Sequence, residues 1–150
     1  MRTQKIDRQC DITPACDVES TRYALGGVYW DEERMALVAT DSRILAVVQP
    51  PENDGDDVPP ASGVIPRQII EAGFEHLKRN RRLSGEIAIN EKTASVKVSV
   101  DGRDAVFSDA LVNGKFPLWP EVLPRKNQYS GFLYFDARIL KRADPIALGM

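Results

Sequence analysis

Three side chains in this sequence have the chemistry to hold a soft metal ion: Cys10, Cys16 and the single histidine, His76. A structural zinc site takes four ligands at tight spacings. Two cysteines six residues apart and one distant histidine do not supply them, so neither a metal nor any other cofactor is expected. The two thiols are expected reduced; a Cys10–Cys16 disulfide is the alternative, with no extracellular signal behind it. Asp41 lies between two apolar runs and invites a catalytic role. General acid–base work needs a partner within reach, and the sequence places none beside it. A strand-end or turn role is expected instead. The chain has no phosphate loop, dinucleotide fingerprint or nucleophile elbow. The expectation is therefore a binding protein and not an enzyme.

The second chemistry is cationic. Residues 67–83 hold Arg67, Lys78, Arg79, Arg81 and Arg82 against Glu71 and Glu75. Arg67, Glu71, Lys78 and Arg82 fall near one face at helical spacing. Such a stripe suits salt-dependent, sequence-independent contact with phosphates. It also suits a solvated face whose terminal cations favour the helix dipole. A third chemistry is apolar anchoring: Phe116, Pro117 and Trp119 in FPLWPEVLP are either exposed anchors or core closure.

The elements that must position these residues follow from periodicity. Ala24–Trp30 reads as a strand, with Gly26-Gly27 as a bulge or close-approach point. Asp31–Arg34 is a charged turn, and Met35–Thr40 completes a hairpin. Arg43–Val48 resumes as a third strand. Residues 50–60, with four prolines and four carboxylates, form a solvated loop. Pro66 opens a helix whose apolar face is Ile69, Ile70, Gly73, Phe74 and Leu77. Strands follow at Glu86–Ile89 and Ala94–Val100. Asp101-Gly102 signals a hairpin, and 105–107 and 110–112 continue the sheet. Residues 116–124, with three prolines, form an ordered connector. Phe132–Phe135 reads as a strand and Asp136 as the N-cap of a short helix to Ala143. The sum is an α+β domain, mainly antiparallel sheet with one long and one short helix.

The chain has 150 residues, 43% apolar and 28% charged, which is a globular composition. Its net charge of −2 excludes a generally basic nucleic-acid binder but not a local basic face. No apolar run approaches the ~20 residues of a membrane helix, and the polar start carries no secretory signal. A cytoplasmic protein without a membrane partner is expected.

Five segments in order carry a resemblance: Thr21–Val28 (TRYALGGV) with Leu37–Ala46 (LVATDSRILA); Val64–Arg67 (VIPR) opening the helix; and Gly114–Pro117 (GKFP) with Val122–Pro124 (VLP). Their order and spacing resemble the middle domain of the bacterial DNA polymerase III beta subunit, the sliding clamp, over roughly residues 20–124. The resemblance implies a DNA-clamp-like domain. In that family two-helix, two-sheet domains join edge to edge into a ring, helices face duplex DNA, and a surface pocket takes short peptides from polymerases and other partners. By position, the peptide pocket would use Leu25, Thr40, Ser42, Leu45, Pro117 and Val122. The DNA-facing set would be Arg22, Tyr23, Arg67 and Gln68, with Lys78 and Arg82 from the cationic stripe. The sequence departs where the family continues its ATD segment with glycine and a histidine-arginine pair, here Ser42-Arg43-Ile44. It departs again where the connector carries basic residues, here Pro120-Glu121.

The resulting expectation is an irregular lead-in over 1–20, a clamp-like domain over 21–124, and a strand-helix extension over 125–150. The extension would be permuted into this domain, swapped into a neighbouring chain, or the start of a next domain. The expected function is a DNA sliding-clamp-like processivity or docking protein of replication or repair. It would bind duplex DNA non-specifically as a homo-oligomeric ring, and DNA polymerase or other clamp-binding peptides in its pocket. The alternative is a ring-less, clamp-derived interaction module that does not bind DNA.

Overall fold

A computed structural model describes residues 2–19, 23–55, 57–79 and 84–123. Two four-stranded antiparallel sheets and one helix make up the described domain. The strands are β1 (Thr3–Ile6), β2 (Gly27–Asp31), β3 (Ala36–Thr40), β4 (Leu45–Val48), β5 (Gly63–Pro66), β6 (Gly85–Ile89), β7 (Thr93–Val100) and β8 (Arg103–Ala110); α1 spans Arg67–Arg79. The first sheet runs β1-β6-β7-β8 and the second β4-β3-β2-β5. This is the expected α+β architecture. The extension over 125–150, with its short helix, lies outside the described residues, so the domain boundaries stay an expectation.

The second sheet is apolar on both faces, and strict alternation sorts its side chains. Val28, Trp30, Leu37, Ala39 and Ile65 join α1 and the first sheet in the main core. Leu25, Ala36, Val38, Val64, Phe116 and Trp119 form a second cluster, with Tyr29 and Leu45 packed against it. The connector over 116–119 therefore acts as a lid on the sheet's outer face. Helix α1 buries Ile69, Ile70, Phe74 and Leu77 as its spacing requires. It lies so close to β7 that a Cβ on Gly73 would stand 2.5 Å from Val96 Cγ1.

The start of the chain corrects the expected lead-in. β1 pairs with β6 from Thr3↔Ala88 to Ile6↔Gly85. Two 3-10 turns, Arg8–Cys10 and Thr13–Ala15, follow it, and Cys10, Ile12, Ala15 and Cys16 are core residues. The strand escapes a hydrophobicity reading because Gln4 occupies an inward position. Its buried amide donates to the Pro51 carbonyl (2.8 Å), so the proline-rich loop serves as its partner. Asn53 ties the same loop to β1: its Oδ1 accepts from Lys5 N (2.8 Å) and its Nδ2 donates to the Thr3 carbonyl (2.9 Å).

Three smaller corrections concern element ends. Tyr23–Gly26 is a 3-10 turn, and the strand expected from Ala24 starts at Gly27. A Cβ at Gly27 would collide with the Ile65 backbone, so of the two readings of the double glycine the structure bears out close strand approach. β4 starts at Leu45 rather than Arg43, because Asp41 Oδ1 accepts from both Arg43 N (2.8 Å) and Ile44 N (2.9 Å) and closes a turn there. β8 ends at Ala110, and the Val112 amide turns to the Val64 carbonyl (3.0 Å).

Candidate docking surface and helix face

The expected peptide pocket draws on three places in the chain. Leu25 sits in the 3-10 turn before β2 and is 2% exposed; Leu45 opens β4 and is half-buried. Both belong to the outer cluster closed by Phe116 and Trp119. Phe116 stacks on Tyr29 with ring centroids 4.8 Å apart. Phe116 and Trp119 are thus core closure. The connector's exposed apolar side chains are Leu118 (60%), Val122 (67%) and Leu123 (46%), with Pro117 exposed beside them. A groove of about 350 Å³ runs along the connector, lined in part by Tyr29, Val64, Val112 and Pro117.

Thr40 and Ser42 belong to the β3–β4 turn. The Thr40 hydroxyl donates to the Ile44 carbonyl (2.6 Å) and accepts from Ser42 N (3.1 Å). Its proton is committed to the turn, so Thr40 shapes the surface without offering a donor. Ser42 has φ +75°, the left-handed region, at the position where the resembled family carries glycine. Asp41 takes the turn role expected of it.

Sequence reasoning missed a buried carboxylate. Asp31 ends β2 and is 3% exposed. Its Oδ1 accepts from Arg34 N (3.1 Å); its Oδ2 accepts from Arg34 Nη1 (3.2 Å) and from Trp119 Nε1 (3.0 Å). The Arg34 guanidinium also lies over the Trp119 ring, 5.9 Å from its centroid. Eighty-eight residues separate Asp31 from Trp119, and no local pattern announces such a pair.

The helix face differs in character. Arg67 is half-buried at the start of α1, and its Nη1 pairs with Glu71 Oε1 (3.3 Å). Gln68, Glu71 and Glu75 are exposed. A cleft of about 920 Å³ beside the helix is lined, among the described residues, by the carboxylates of Asp11, Asp17, Glu19, Asp41, Glu71 and Glu75 and by the cations Arg43 and Arg67. Lys78 stands on the last turn of α1 and Tyr23 opens its 3-10 turn. Arg22 and Arg82 lie outside the described residues. Among the described residues no three His, Cys, Asp or Glu side chains are grouped to hold a metal ion. Cys10 and Cys16 are both free and buried, and burial pushes each thiol up to about 12. No described helix is long and apolar enough to cross a membrane.

No family model matches the chain. The beta sliding clamp of Proteus mirabilis is 32% identical over 109 residues, covering 71% of this chain and 28% of the relative. That of Caulobacter vibrioides is 29% identical over 132 residues, 83% of this chain and 34% of the relative. The chain thus spans about a third of the length of the curated relatives it matches. Among solved structures, the Bartonella birtlesii sliding clamp (DNA polymerase III subunit beta) bound to griselimycin superposes with a TM-score of 0.62 at 26% identity. The alignment covers 85% of this chain and 36% of that one. The Pseudomonas aeruginosa DNA polymerase III subunit beta gives 0.59 at 25% identity, over 85% and 36%. The two sheets, the helix opened by Val64–Arg67 and these relatives converge on one description: a DNA polymerase III beta clamp-like protein, one domain's share of the sliding-clamp fold.

Proposed function

We propose that this chain is a clamp-type docking module of DNA replication or repair. It takes a short apolar peptide of a polymerase or another partner on the surface formed by Leu45 and the connector over the buried Leu25, with Thr40 and Ser42 shaping one side. The observation that carries the reading is the division of labour in 116–123. Phe116 and Trp119 are buried and fix the backbone, while Pro117, Leu118 and Val122 stay exposed. Rigidly mounted apolar side chains beside a groove suit peptide anchoring, because little ordering entropy is lost on binding. The role is binding, not catalysis, and places the protein in the cytoplasm with the replication machinery.

The test is a titration of a fluorescently labelled peptide carrying the clamp-binding segment of a bacterial replicative polymerase, with the unlabelled peptide as competitor. Leu45→Asp is expected to abolish binding, but Leu45 packs in the outer cluster and the variant also risks the fold. Val122→Asp changes an exposed side chain and leaves folding intact, so it separates the two effects. Unaltered affinity in Val122→Asp rejects the surface.

A second reading, a homo-oligomeric ring around duplex DNA, is favoured by β8. Its eight residues, Arg103–Ala110, form one edge of the first sheet, and Val106 on it is 57% exposed. In such a ring Arg67 is already neutralised by Glu71, and Glu71 and Glu75 oppose phosphates. In this reading non-specific contact falls to Lys78 and Arg82, with Arg22, Tyr23 and Gln68 as the further DNA-facing residues the resemblance implies. Light scattering across a concentration series, and the salt dependence of duplex association in Lys78→Glu and Arg82→Glu, test it. A monomer with no salt-dependent retention leaves docking alone.

A further inference from the structure

Asp31 is the one carboxylate among the buried residues described, and it lies at a hairpin end, where a charged side chain could reach water at no cost. Its burial calls for a reason, since an ionised group leaves water only when its acceptors are filled. Here they are filled from two directions. Arg34 gives a backbone and a side-chain donor from the turn that follows β2, and Trp119 gives its indole N–H from the connector 88 positions further on. Arg34 then covers the face of the same indole. The ring is thus held at its N–H by Asp31 and on its face by Arg34. Trp119 opens the 3-10 turn Trp119–Val122, so fixing the ring fixes Leu118 on one side and Val122 on the other.

We infer that Asp31 is a positioning residue: with Arg34 it locks the Trp119 turn, so that the exposed Leu118 and Val122 stand preformed for a partner peptide. This rests on the docking reading above and adds what sets its affinity. Charge-assisted bonds at a buried site are about twice as strong as neutral ones, and they hold geometry as well as energy. Without the carboxylate, the connector keeps its Phe116–Tyr29 stack but loses the anchor of its second half.

Asp31→Asn, which keeps the side-chain volume, and Trp119→Phe, which removes the indole N–H, test the latch. The two tryptophan indoles provide the control. Trp30 precedes Asp31 in β2 but turns to the opposite face of the sheet, where it donates its N–H to the Pro60 carbonyl (2.9 Å) in the main core. Hydrogen exchange at both indoles, followed by NMR, is read with the affinity for the labelled polymerase peptide. In Asp31→Asn, exchange at Trp119 is expected to quicken by on the order of tenfold while Trp30 keeps its rate, and peptide affinity to fall by about fivefold to tenfold. The double variant should weaken binding no further than the worse single one. Equal acceleration at both indoles means general loosening and overturns the positioning role, as does unchanged Trp119 exchange. Unchanged affinity in a protein whose wild type binds the peptide also overturns it. If the wild type binds no peptide, the docking reading fails. The exchange data then decide the latch by themselves: selective opening at Trp119 upholds it, and any other pattern rejects it.

Discussion

Replacing Gly73 with alanine sets two effects of opposite sign against each other at one position. In an exposed helix interior, Gly→Ala stabilises by about 0.5–1 kcal/mol, because glycine forfeits more backbone freedom on folding. Gly73 is instead on the buried face of α1, over β7. The added Cβ would stand 2.5 Å from Val96 Cγ1, 3.5 Å from Val96 Cβ and 3.7 Å from Val98 Cγ2. Val96 is fully buried at 0% exposure, and its strand pairs on both sides, with Ile87 and with Phe107. The valine cannot swing into solvent, and the strand cannot recede without straining two ladders. Overpacking of this kind costs about 1–3 kcal/mol. The packing term therefore exceeds the helix term, and Gly73→Ala should destabilise by a net of about 1–2 kcal/mol. Equilibrium urea unfolding measures it as a lower midpoint at unchanged slope. Val96→Ala alone opens a cavity and is also destabilising. The double variant puts the new methyl where the valine methyls were, so its loss should be smaller than the two single losses together, a coupling of about 1 kcal/mol or more. A Gly73→Ala protein more stable than wild type refutes the reasoning, and so does strict additivity with Val96→Ala.

Two further perturbations follow from local geometry. Ser42 holds φ +75°, which costs a residue with a Cβ about 1–2 kcal/mol. Ser42→Gly relieves that strain against a smaller loss of unfolded-state restriction, so it should raise the urea midpoint by up to about 1 kcal/mol equivalent; a lower midpoint counts against the strained turn. The buried thiols set an alkaline limit. Both Cys10 and Cys16 rise from 9.0 to about 12. Below pH 9 both states keep the protons and nothing is lost. Between 9 and 12 the unfolded chain releases them while the folded one does not, so stability falls with pH, by up to about 1.4 kcal/mol per unit for each thiol. A Cys10→Ala/Cys16→Ala protein should show a shallower decline above pH 9 in thermal unfolding, and parallel curves would dismiss the thiols as its source.

How far the sequence carried the fold depends on how local each signal is. The hairpin at Asp31–Arg34, the loop over 50–60 and the helix from Arg67 are all written in turn chemistry and periodicity. So is the Asp101-Gly102 hairpin, where both residues take positive φ. The N-terminal strand was illegible because its inward residues are Gln4 and Ile6, and the buried Gln4 amide is satisfied by the neighbouring Lys5 carbonyl and by the Pro51 carbonyl 47 residues away. The 3-10 turns that bury Cys10 and Cys16 have no 3.6-residue repeat to show. At the candidate site, sequence order named Leu25, Leu45, Pro117 and Val122. It could not tell that Phe116 and Trp119 turn inward while Leu118 and Val122 turn outward.

By itself, the sequence determined the class of the domain, its run of antiparallel strands and the clamp-like order of its motifs. These depend on residue spacing and on backbone preferences a few residues long. Only the tertiary structure decided that Arg67 spends its charge on Glu71, that carboxylates crowd the face of α1, and that Asp31 reaches Trp119. Each of those is a contact between side chains whose meeting depends on a helix face or on two strands and a connector packing together, and charge and hydrogen bonding act on distance in space.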